Sequence, residues 1–303
     1  MRVRPTVRTG LAGTAAAVAG SLLLAGCGSD APAAEQKLHD RLPASVKSSG
    51  VLRIGAELNY PPVDFKDDSG KPAGLDPDLA EAIGKELGVK VQFVDTAFDK
   101  LLPGLSTNEF DLVMSGMSDN RQRREGTDEA GKQIHPGVDF VDYFIAGTSI
   151  VVPKGNPKGV NSLDDLCGQT VALQRGTTQA TVIQRQTAAC EKVKKPLGIK
   201  LTDSDADALT LVAGGKAAAD LSDFPVAAGV AQKGFGGAQF QLAGQPLQSG
   251  PFGMAVAKSN EQLRDTLAKA LDQVIRSGEY EKILTKWGVT AGAAQNAVVN
   301  GGF

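Results

Sequence analysis

The sequence has few of the residues on which several kinds of functional site depend. Only His39 and His135 are histidines among 303 residues, and neither has a cysteine or a carboxylate at metal-ligand spacing, so no histidine-based metal site is expected. The net charge is −2, which gives no electrostatic reason to expect a nucleic acid partner. With 42% hydrophobic and 22% charged residues, the composition is that of an ordinary globular protein.

Long apolar runs are scarce, and a clear one lies at the start of the chain. Residues 11–24 are apolar and uncharged, follow a segment with three arginines, and are too short to span a bilayer comfortably, which is typical of an export signal. The run ends in Leu24-Ala25-Gly26-Cys27, which resembles the lipobox that is cleaved before a lipid-bearing cysteine. We therefore predict a signal peptide over residues 1–26 and a protein anchored outside the cytoplasm by lipid on Cys27. An ordinary cleavage site with an incidental Cys27 is the alternative.

Cysteine is also scarce, with three in the whole chain. If Cys27 carries lipid, export to an oxidising compartment favours a disulfide between the other two, Cys167 and Cys190. Such a bridge would contribute roughly 3 kcal/mol by restricting the unfolded chain. Two buried free thiols are the alternative.

Strands and helices alternate after a predicted flexible tether. Residues 27–45 are polar and rich in Ala and Pro, which is typical of a linker. We then predict a strand at 51–55, a helix from Asp76-Pro77 to Gly88, a strand at 89–94, a helix at 99–106 and a strand at 111–115. Asp76 is expected to be the N-cap of the first helix and Pro77 its first helical residue. This alternation is typical of a parallel sheet covered by helices.

The second half of the chain repeats the pattern. We predict strands at 170–173, 218–222 and 252–257, and helices at 177–190, 206–213, from Pro225, at 260–276 and at 280–287. Two similar α/β units of this size favour two lobes.

Polar side chains gather where the predicted strands end, which is where open α/β sheets bind ligands. These residues are Glu57 and Tyr60, Ser115 to Arg123, Thr177-Thr178 and Asp223. Together they supply a cation, hydroxyls, a helix N-terminus and acids, which is the set that a small zwitterion requires.

Each of these groups has a chemical role and a plain structural alternative. An arginine offers a carboxylate a planar fork of donors, and the helix start at Thr177-Thr178 offers it free N–H groups. Asp223 suits an ammonium, and Tyr60 and Phe98 suit an intervening side chain. Alternatively, the run of arginines at 121–124 faces solvent, the threonines and Asp223 only cap helices, and the aromatic rings belong to the core.

Several stretches of the chain resemble one known family. In order, RIGAELNYPPVDF, DLVMSGMSDNRQRR, SLDDLCGQTVALQRGTTQ, SDFPVAAGV and SGEYEKILTKWGV resemble the solute-binding proteins of polar amino-acid ABC importers, bacterial family 3. The resemblance extends over about residues 46–288. It implies a two-lobed α/β fold of the periplasmic-binding-protein type, in which each lobe is a central sheet flanked by helices and two hinge strands join the lobes.

The resemblance also implies domain boundaries. Residues 46–146 plus 251–290 would form lobe 1, residues 147–250 lobe 2, and residues 291–303 a C-terminal tail. The chain would cross between lobes near Phe144–Thr148 and return near Ser249–Gly253.

The same resemblance implies a role for each site residue. Arg123 would hold the α-carboxylate of an amino acid with help from Ser115, Ser118 and Thr177, and Asp223 would take its α-ammonium. Tyr60 and Phe98 would pack on the ligand side chain, Glu57 would meet its polar end, and the backbone of Gly116 would line the wall. Arg121 and Arg124 are expected to face solvent.

The implied function is that of a monomeric receptor, not an enzyme, with no cofactor. It would capture a polar amino acid, with neutral polar or cationic side chains favoured by the acids at 57 and 223, and deliver it to the permease and ATPase subunits of an importer. One alternative is an enzyme like cyclohexadienyl dehydratase, with Glu57 as general acid. Another is a sensor lipoprotein that takes no part in transport.

The chain departs from the family pattern at several positions. Glu57 replaces a usual Asp, Asn120 a common Thr, and Val63 the Phe of a PPF motif. Residues 126–137 resemble an insertion, which we expect to be a solvated loop rather than part of the cleft rim.

Overall fold

Two helix-covered sheets share one long strand in the computed structural model, which describes residues 37–233, 239–247 and 249–303. The predicted signal peptide, Cys27 and the tether before residue 37 lie outside the described residues. Within the described part of the chain, no helix has both the length and the apolar character needed to cross a membrane.

The helices and strands follow the predicted α/β alternation. The helices are α1 (Ala44–Ser49), α2 (Leu75–Leu87), α3 (Leu101–Ser106), α4 (Arg121–Glu125), α5 (Thr178–Lys192), α6 (Asp205–Ala213), α7 (Phe224–Lys233), α8 (Glu261–Arg276) and α9 (Glu279–Trp287). The strands are β1 (Val51–Ala56), β2 (Asn59–Tyr60), β3 (Asp64–Lys66), β4 (Pro72–Ala73), β5 (Lys90–Asp95), β6 (Leu112–Val113), β7 (Val138–Pro153), β8 (Thr170–Gln174), β9 (Gly198–Thr202), β10 (Ala219–Asp223), β11 (Phe240–Ala243), β12 (Ser249–Ala257) and β13 (Ala293–Val299).

The strand order divides the fold into two lobes. In the first sheet the order is β5-β1-β6-β12-β7, with β1 parallel to both β5 and β6. In the second it is β7-β10-β8-β9, with β11 also paired to β7. We call the first sheet with its helices lobe 1 and the second sheet with its helices lobe 2. The expected two-lobed α/β architecture is confirmed.

Strand β7 belongs to both sheets. Its residues from Val138 to Gly147 pair with β12 in lobe 1. Its residues from Thr148 to Val151 pair with β10 in lobe 2. The strand is buried along most of its length, as expected where helices cover both faces of a sheet. The lobes are therefore joined by a continuous backbone ladder near the predicted crossing point.

Each lobe has its own apolar core. In lobe 1, every fourth residue of α2 faces the core, and Leu79, Ile83 and Leu87 are at most 1% exposed. Full burial of each such side chain contributes about 1.5–3 kcal/mol. In lobe 2 the predicted disulfide between Cys167 and Cys190 is confirmed, and it ties the segment before β8 to α5.

The structure differs from the expected tether and tail at both ends of the described chain. Leu38 and Leu42 are buried in the lobe 1 core, so the packed fold begins before residue 46. Their apolar side chains sit against α8, where the hydroxyl of Thr266 donates to the carbonyl of Arg41 (3.1 Å). Residues of the expected tail form β13, which pairs with β7.

The prediction that Asp76 is an N-cap is wrong. Helix α2 begins at Leu75, with Gly74 as its N-cap. The Asp76 carboxylate is fully buried and accepts hydrogen bonds from the backbone N–H of Gly116 (2.8 Å) and the hydroxyl of Tyr143 (2.6 Å). It therefore holds the turn after β6 instead of the helix start.

Candidate ligand-binding site

One small cavity between the lobes brings the predicted site residues together. It is lined by Glu57, Tyr60, Phe98, Ser115, Gly116, Ser118, Arg123, Thr177 and Asp223. Its volume is only about 20 Å³ because side chains of the two lobes contact each other across it. The lining also includes Gln174, Thr178, Gln179, Asp205 and Leu221, of which the sequence patterns singled out only Thr178.

Arg123 is a buried cation at one end of this cavity. It lies on α4, whose N-cap Asn120 accepts the Arg123 backbone N–H (2.9 Å). The guanidinium donates to the carbonyls of Ser118 (2.8 Å) and, in lobe 2, Gly176 (3.1 Å). The centre of the guanidinium lies 5.4 Å from the ring centroid of Phe98.

Arg123 has no anionic partner of its own. Burial lowers the pKa of Arg123 to about 10, so the side chain remains charged at neutral pH. In the part of the chain that the structure describes, no carboxylate lies within ion-pair distance of it. Asp223 and Asp119 act on this buried charge only from beyond ion-pair distance, so the guanidinium can bind an anion directly.

Asp223 lies at the carboxyl end of β10 and links the lobes through Tyr60. Its carboxylate accepts hydrogen bonds from the Tyr60 hydroxyl (3.0 Å) and the Gln179 amide (2.9 Å). The Tyr60 hydroxyl in turn accepts the backbone N–H of Asp223 (3.0 Å). Burial raises the pKa of Asp223 to about 7, with the hydrogen bond from Tyr60 acting in the opposite direction.

The opposite end of the cavity is acidic. Glu57 accepts a hydrogen bond from the side-chain amide of Gln174 in lobe 2 (2.5 Å). Burial, reinforced by the nearby charge of Asp205, raises the pKa of Glu57 to about 7. Asp205 is itself 5% exposed, and burial raises its pKa to about 6. Among the described residues, neither acid forms an ion pair with a lysine or arginine.

The wall between the two ends is formed by the turn after β6. The Ser115 hydroxyl accepts the backbone N–H of Glu57 (3.0 Å) and donates its proton to buried Asp64 (2.6 Å). Gly116 adopts a positive φ of 53°, a conformation that favours glycine. Since its proton is already used, the Ser115 side chain offers a ligand an acceptor rather than a donor.

Thr177 caps α5, as the structural alternative for this turn expects. Its hydroxyl oxygen accepts the backbone N–H of Ala180 (3.1 Å) and donates to the carbonyl of Gln174 (2.8 Å). The cap also places the start of a 15-residue helix at the cavity wall, where Thr178 and Gln179 contribute. Unpaired N–H groups at a helix start favour an anion.

The arginines that flank Arg123 differ from each other. Arg121 is exposed and pairs with Glu125 (2.7 Å), as expected. The expectation that Arg124 faces solvent is wrong, because it pairs with the fully buried carboxylate of Asp119 (2.6 Å) and its own side chain is only 20% exposed.

The insertion at 126–137 reaches the other lobe. Its Glu129 accepts two hydrogen bonds from the guanidinium of Arg185 on α5, at 2.8 and 3.0 Å. Burial and the charge of Arg123 lower the pKa of His135, in the same insertion. The insertion therefore lies at the rim of the cleft, and the expectation of a loop that only meets solvent is wrong.

A larger cavity of about 910 Å³ lies elsewhere between the lobes. Mainly apolar side chains line it, including Pro61, Ile145, Phe224 and Val230. It has no buried arginine to match Arg123, so the smaller cavity is the candidate site for a charged ligand.

The geometry is that of a two-lobed α/β protein with charged side chains from both lobes lining the cleft between them. Residues 52–290 match the family model of the bacterial extracellular solute-binding proteins, family 3, and the chain belongs to that family. Among curated relatives, the arginine-binding protein ArgT of Corynebacterium glutamicum is 28% identical, over 99% of this chain and 98% of its own length. The glutamine-binding protein GlnH of Bacillus subtilis is 27% identical, over 88% and 92% of the two chains.

Solved structures agree in fold. An ancestral arginine-binding protein bound to glutamine is 35% identical with a TM-score of 0.70, and it covers 79% of this chain and 98% of its own. The ancestral amino acid-binding protein described as a precursor of cyclohexadienyl dehydratase is 34% identical with a TM-score of 0.69, covering 80% and 97%.

Proposed function

We propose that the protein is an extracytoplasmic receptor that closes its lobes on one amino acid and delivers it to the permease and ATPase subunits of an ABC importer. One observation carries the proposal: buried Arg123 and buried Asp223 line the same cavity without forming an ion pair with each other. A zwitterion supplies the missing partner for each. Its carboxylate would take the place of the carbonyl acceptors of Arg123, and its ammonium would bind the Asp223 carboxylate.

The acidic end of the cavity favours a cationic ligand side chain over a neutral one. The α-carboxylate of a ligand would bind Arg123 and its α-ammonium would bind Asp223. Glu57 and Asp205 would then still lack a cationic partner. A guanidinium or ammonium group would stabilise both in their ionised forms. A neutral amide is the second choice, because protonated Glu57 and Gln174 together offer donors and acceptors to it. Arginine- and glutamine-binding relatives support both classes.

A thermal-shift screen over the twenty amino acids tests the proposal. A ligand at about 100 times its dissociation constant stabilises the folded state by ~2.7 kcal/mol. We expect the largest shift from a cationic amino acid and none from its decarboxylated amine, which cannot engage Arg123. If no amino acid raises the melting temperature, the proposed function is wrong.

The enzymatic alternative has one observation in its favour, since a Glu57 pKa of about 7 suits a general acid. We nevertheless propose a receptor, because the arginine- and glutamine-binding relatives named above are binding proteins. Mass analysis of the bound amino acid after prolonged incubation should recover it unchanged. Recovery of a dehydrated product would establish the enzyme instead.

The attachment and boundaries of the protein also remain proposals. We propose that lipid on Cys27 anchors a monomeric receptor to the membrane, and that lobe 1, which includes the packed residues before 46 and β13, moves against lobe 2. Cys27→Ala should release the protein from membranes while leaving amino-acid binding unchanged.

A further inference from the structure

Residues 300–303 dock on the start of α4, the helix that carries Arg123, although they lie outside the family match at 52–290. The backbone N–H of Arg121, the first residue of α4, donates to the carbonyl of Phe303 (2.8 Å). The backbone N–H of Gly302 donates to the Asp119 carboxylate (2.8 Å). Asp119 directly precedes the N-cap Asn120, so these contacts hold the start of α4 in place.

The same segment is tied to lobe 1 on its other side. Asn300 exchanges hydrogen bonds with the backbone of Phe140, giving its N–H to the carbonyl (3.1 Å) and accepting the N–H through its side chain (2.8 Å). The N–H of Gly301 donates to the Asp142 carboxylate (2.9 Å). A side chain at Gly302 would collide with the backbone carbonyl of Asp119, so the fit requires glycine there.

Phe303, which is 45% exposed, forms part of the wall of a chamber that adjoins the candidate ligand site. Its ring packs so closely on Gly250 of β12 that a side chain at position 250 would collide with it. The chamber has a volume of about 180 Å³ and shares Ser118, Thr178 and Asp223 with the ligand site. The rest of its wall, apart from Thr148 and Gly250, is apolar, namely Ala146, Leu163, Val182, Leu247, Phe252 and Phe303.

We infer that the 300–303 segment positions the ligand site. It holds the start of α4, which carries Arg123, and its Phe303 ring covers the hinge side of the cleft. The inference rests on the proposed function. Charge-assisted hydrogen bonds to Arg123 and Asp223 are stronger where water is excluded, because the local dielectric is lower. Opening the chamber would admit water to the α-groups of any bound amino acid, so ligand would leave faster.

The test compares four variants of the full-length protein with the wild type. Phe303→Ala opens the chamber, Gly302→Ala displaces the segment while keeping the ring, and Phe303→Leu keeps an apolar plug. Val299→Ala is the matched control, since Val299 lies on β13 and does not line the chamber. The probe is the amino acid that gives the largest thermal shift, and calorimetry and stopped-flow give its affinity and dissociation rate.

We expect Phe303→Ala and Gly302→Ala to weaken binding by about tenfold, which corresponds to 1.4 kcal/mol, mainly through faster dissociation. Phe303→Leu should restore most of the affinity, and Val299→Ala should not differ from wild type. The melting temperature of the free protein separates positioning from stability. If it falls while the affinity of the folded protein is unchanged, the segment is merely structural and the inference is wrong.

Failure of the inference is distinguishable from failure of the proposed function. A wild-type protein that binds no amino acid overturns the proposed function and the inference with it. A wild type that binds, with Phe303→Ala and Gly302→Ala binding equally well, overturns the inference alone.

Discussion

The two ends of the cavity between the lobes differ in charge. At one end the cation Arg123 and the acid Asp223 balance, and neither has an ionic partner among the described residues. At the other end Glu57 and Asp205 are both acids, and among the described residues neither pairs with a lysine or an arginine. The end with Arg123 and Asp223 suits the α-carboxylate and α-ammonium, which every amino acid has. The acidic end suits a cationic side chain, which only some amino acids have. In the proposed receptor, the groups that bind any amino acid and the groups that select among side chains would therefore lie at opposite ends of the cavity.

Both ends draw on both lobes. Arg123 from lobe 1 meets the Gly176 carbonyl and Tyr60 meets Asp223, while Glu57 meets Gln174. Each pair includes one residue from either side of the cleft. A ligand that contacts either end consequently favours the closed arrangement, because only there are the contacts to both lobes made together.

Removing Arg123 should have the largest effect. Arg123→Ala leaves a bound carboxylate without its buried partner, and we expect a loss of about 2–5 kcal/mol in binding, by calorimetry. The loss should be the same for every amino acid, because this end contacts only the shared groups. Arg121→Ala, at an exposed neighbouring position, is the control. Unchanged affinity in Arg123→Ala would remove this residue from the site.

Neutralising Glu57 should affect one ligand class more than the other. Glu57→Gln removes a charge-assisted hydrogen bond of about 1.5–3 kcal/mol to a cationic side chain. Neutral amino acids should bind the variant about as well as they bind wild type. Asp203→Asn, at an exposed acid nearby, controls for the general loss of negative charge. Equal losses for cationic and neutral ligands would show that the two ends do not divide their tasks as proposed.

Acidification should weaken binding through the acids at both ends. Glu57 and Asp223 have pKa values of about 7 in the free protein, and a cation or ammonium binds best to their ionised forms. Affinity should therefore fall as the pH drops below about 7, by up to about tenfold per pH unit for each proton that must leave. Calorimetry across this range checks the slope, and a flat profile would contradict it.

The free protein should show the opposite trend in stability. The pKa values of about 7 lie above the ordinary 4.5 for Glu57 and 3.8 for Asp223. Because the pKa values are raised in the folded state, protonation of these groups stabilises the fold. This contribution is fully present below about pH 4 and is lost as the pH rises to about 7. Denaturation of the ligand-free protein at several pH values measures this contribution, and Glu57→Gln should reduce it.

The ion pair between Glu129 and Arg185 should matter least. It joins the lobes at the rim, and neither residue lines the cavity of the candidate site. Exposed ion pairs contribute about 0.2–1 kcal/mol to stability. Glu129→Gln should weaken binding of all ligands by less than about fivefold, and added salt should shrink the difference further. A ligand-selective effect would place the insertion within the site itself.

The sequence allowed prediction of the elements with strong periodicity. Helix α8 and strand β8 occur within a few residues of their expected bounds, since α8 has one buried apolar face and β8 is a short run of consecutively buried residues. Strand β13, with the sequence AAQNAVV, was missed because it is mostly exposed and its order comes from pairing with β7, a partner far away in the chain.

The site residues could be predicted where a polar or aromatic residue lies just after the end of a predicted strand. The structure brings all nine predicted residues to one cavity, although their roles remain predictions. Asp205 was missed because an acid at a helix start is ordinary, and only the tertiary fold reveals that it faces Glu57. Asp76 was misassigned for the converse reason, since its position suits a cap but its carboxylate is used by Gly116.

Because one strand serves both sheets, a change in the length of β7 would affect both lobes. A single residue inserted near Thr148 would reverse the facing of every later side chain in the strand, and lobe 2 would lose the pairing with Asp223 on which its half of the cleft depends.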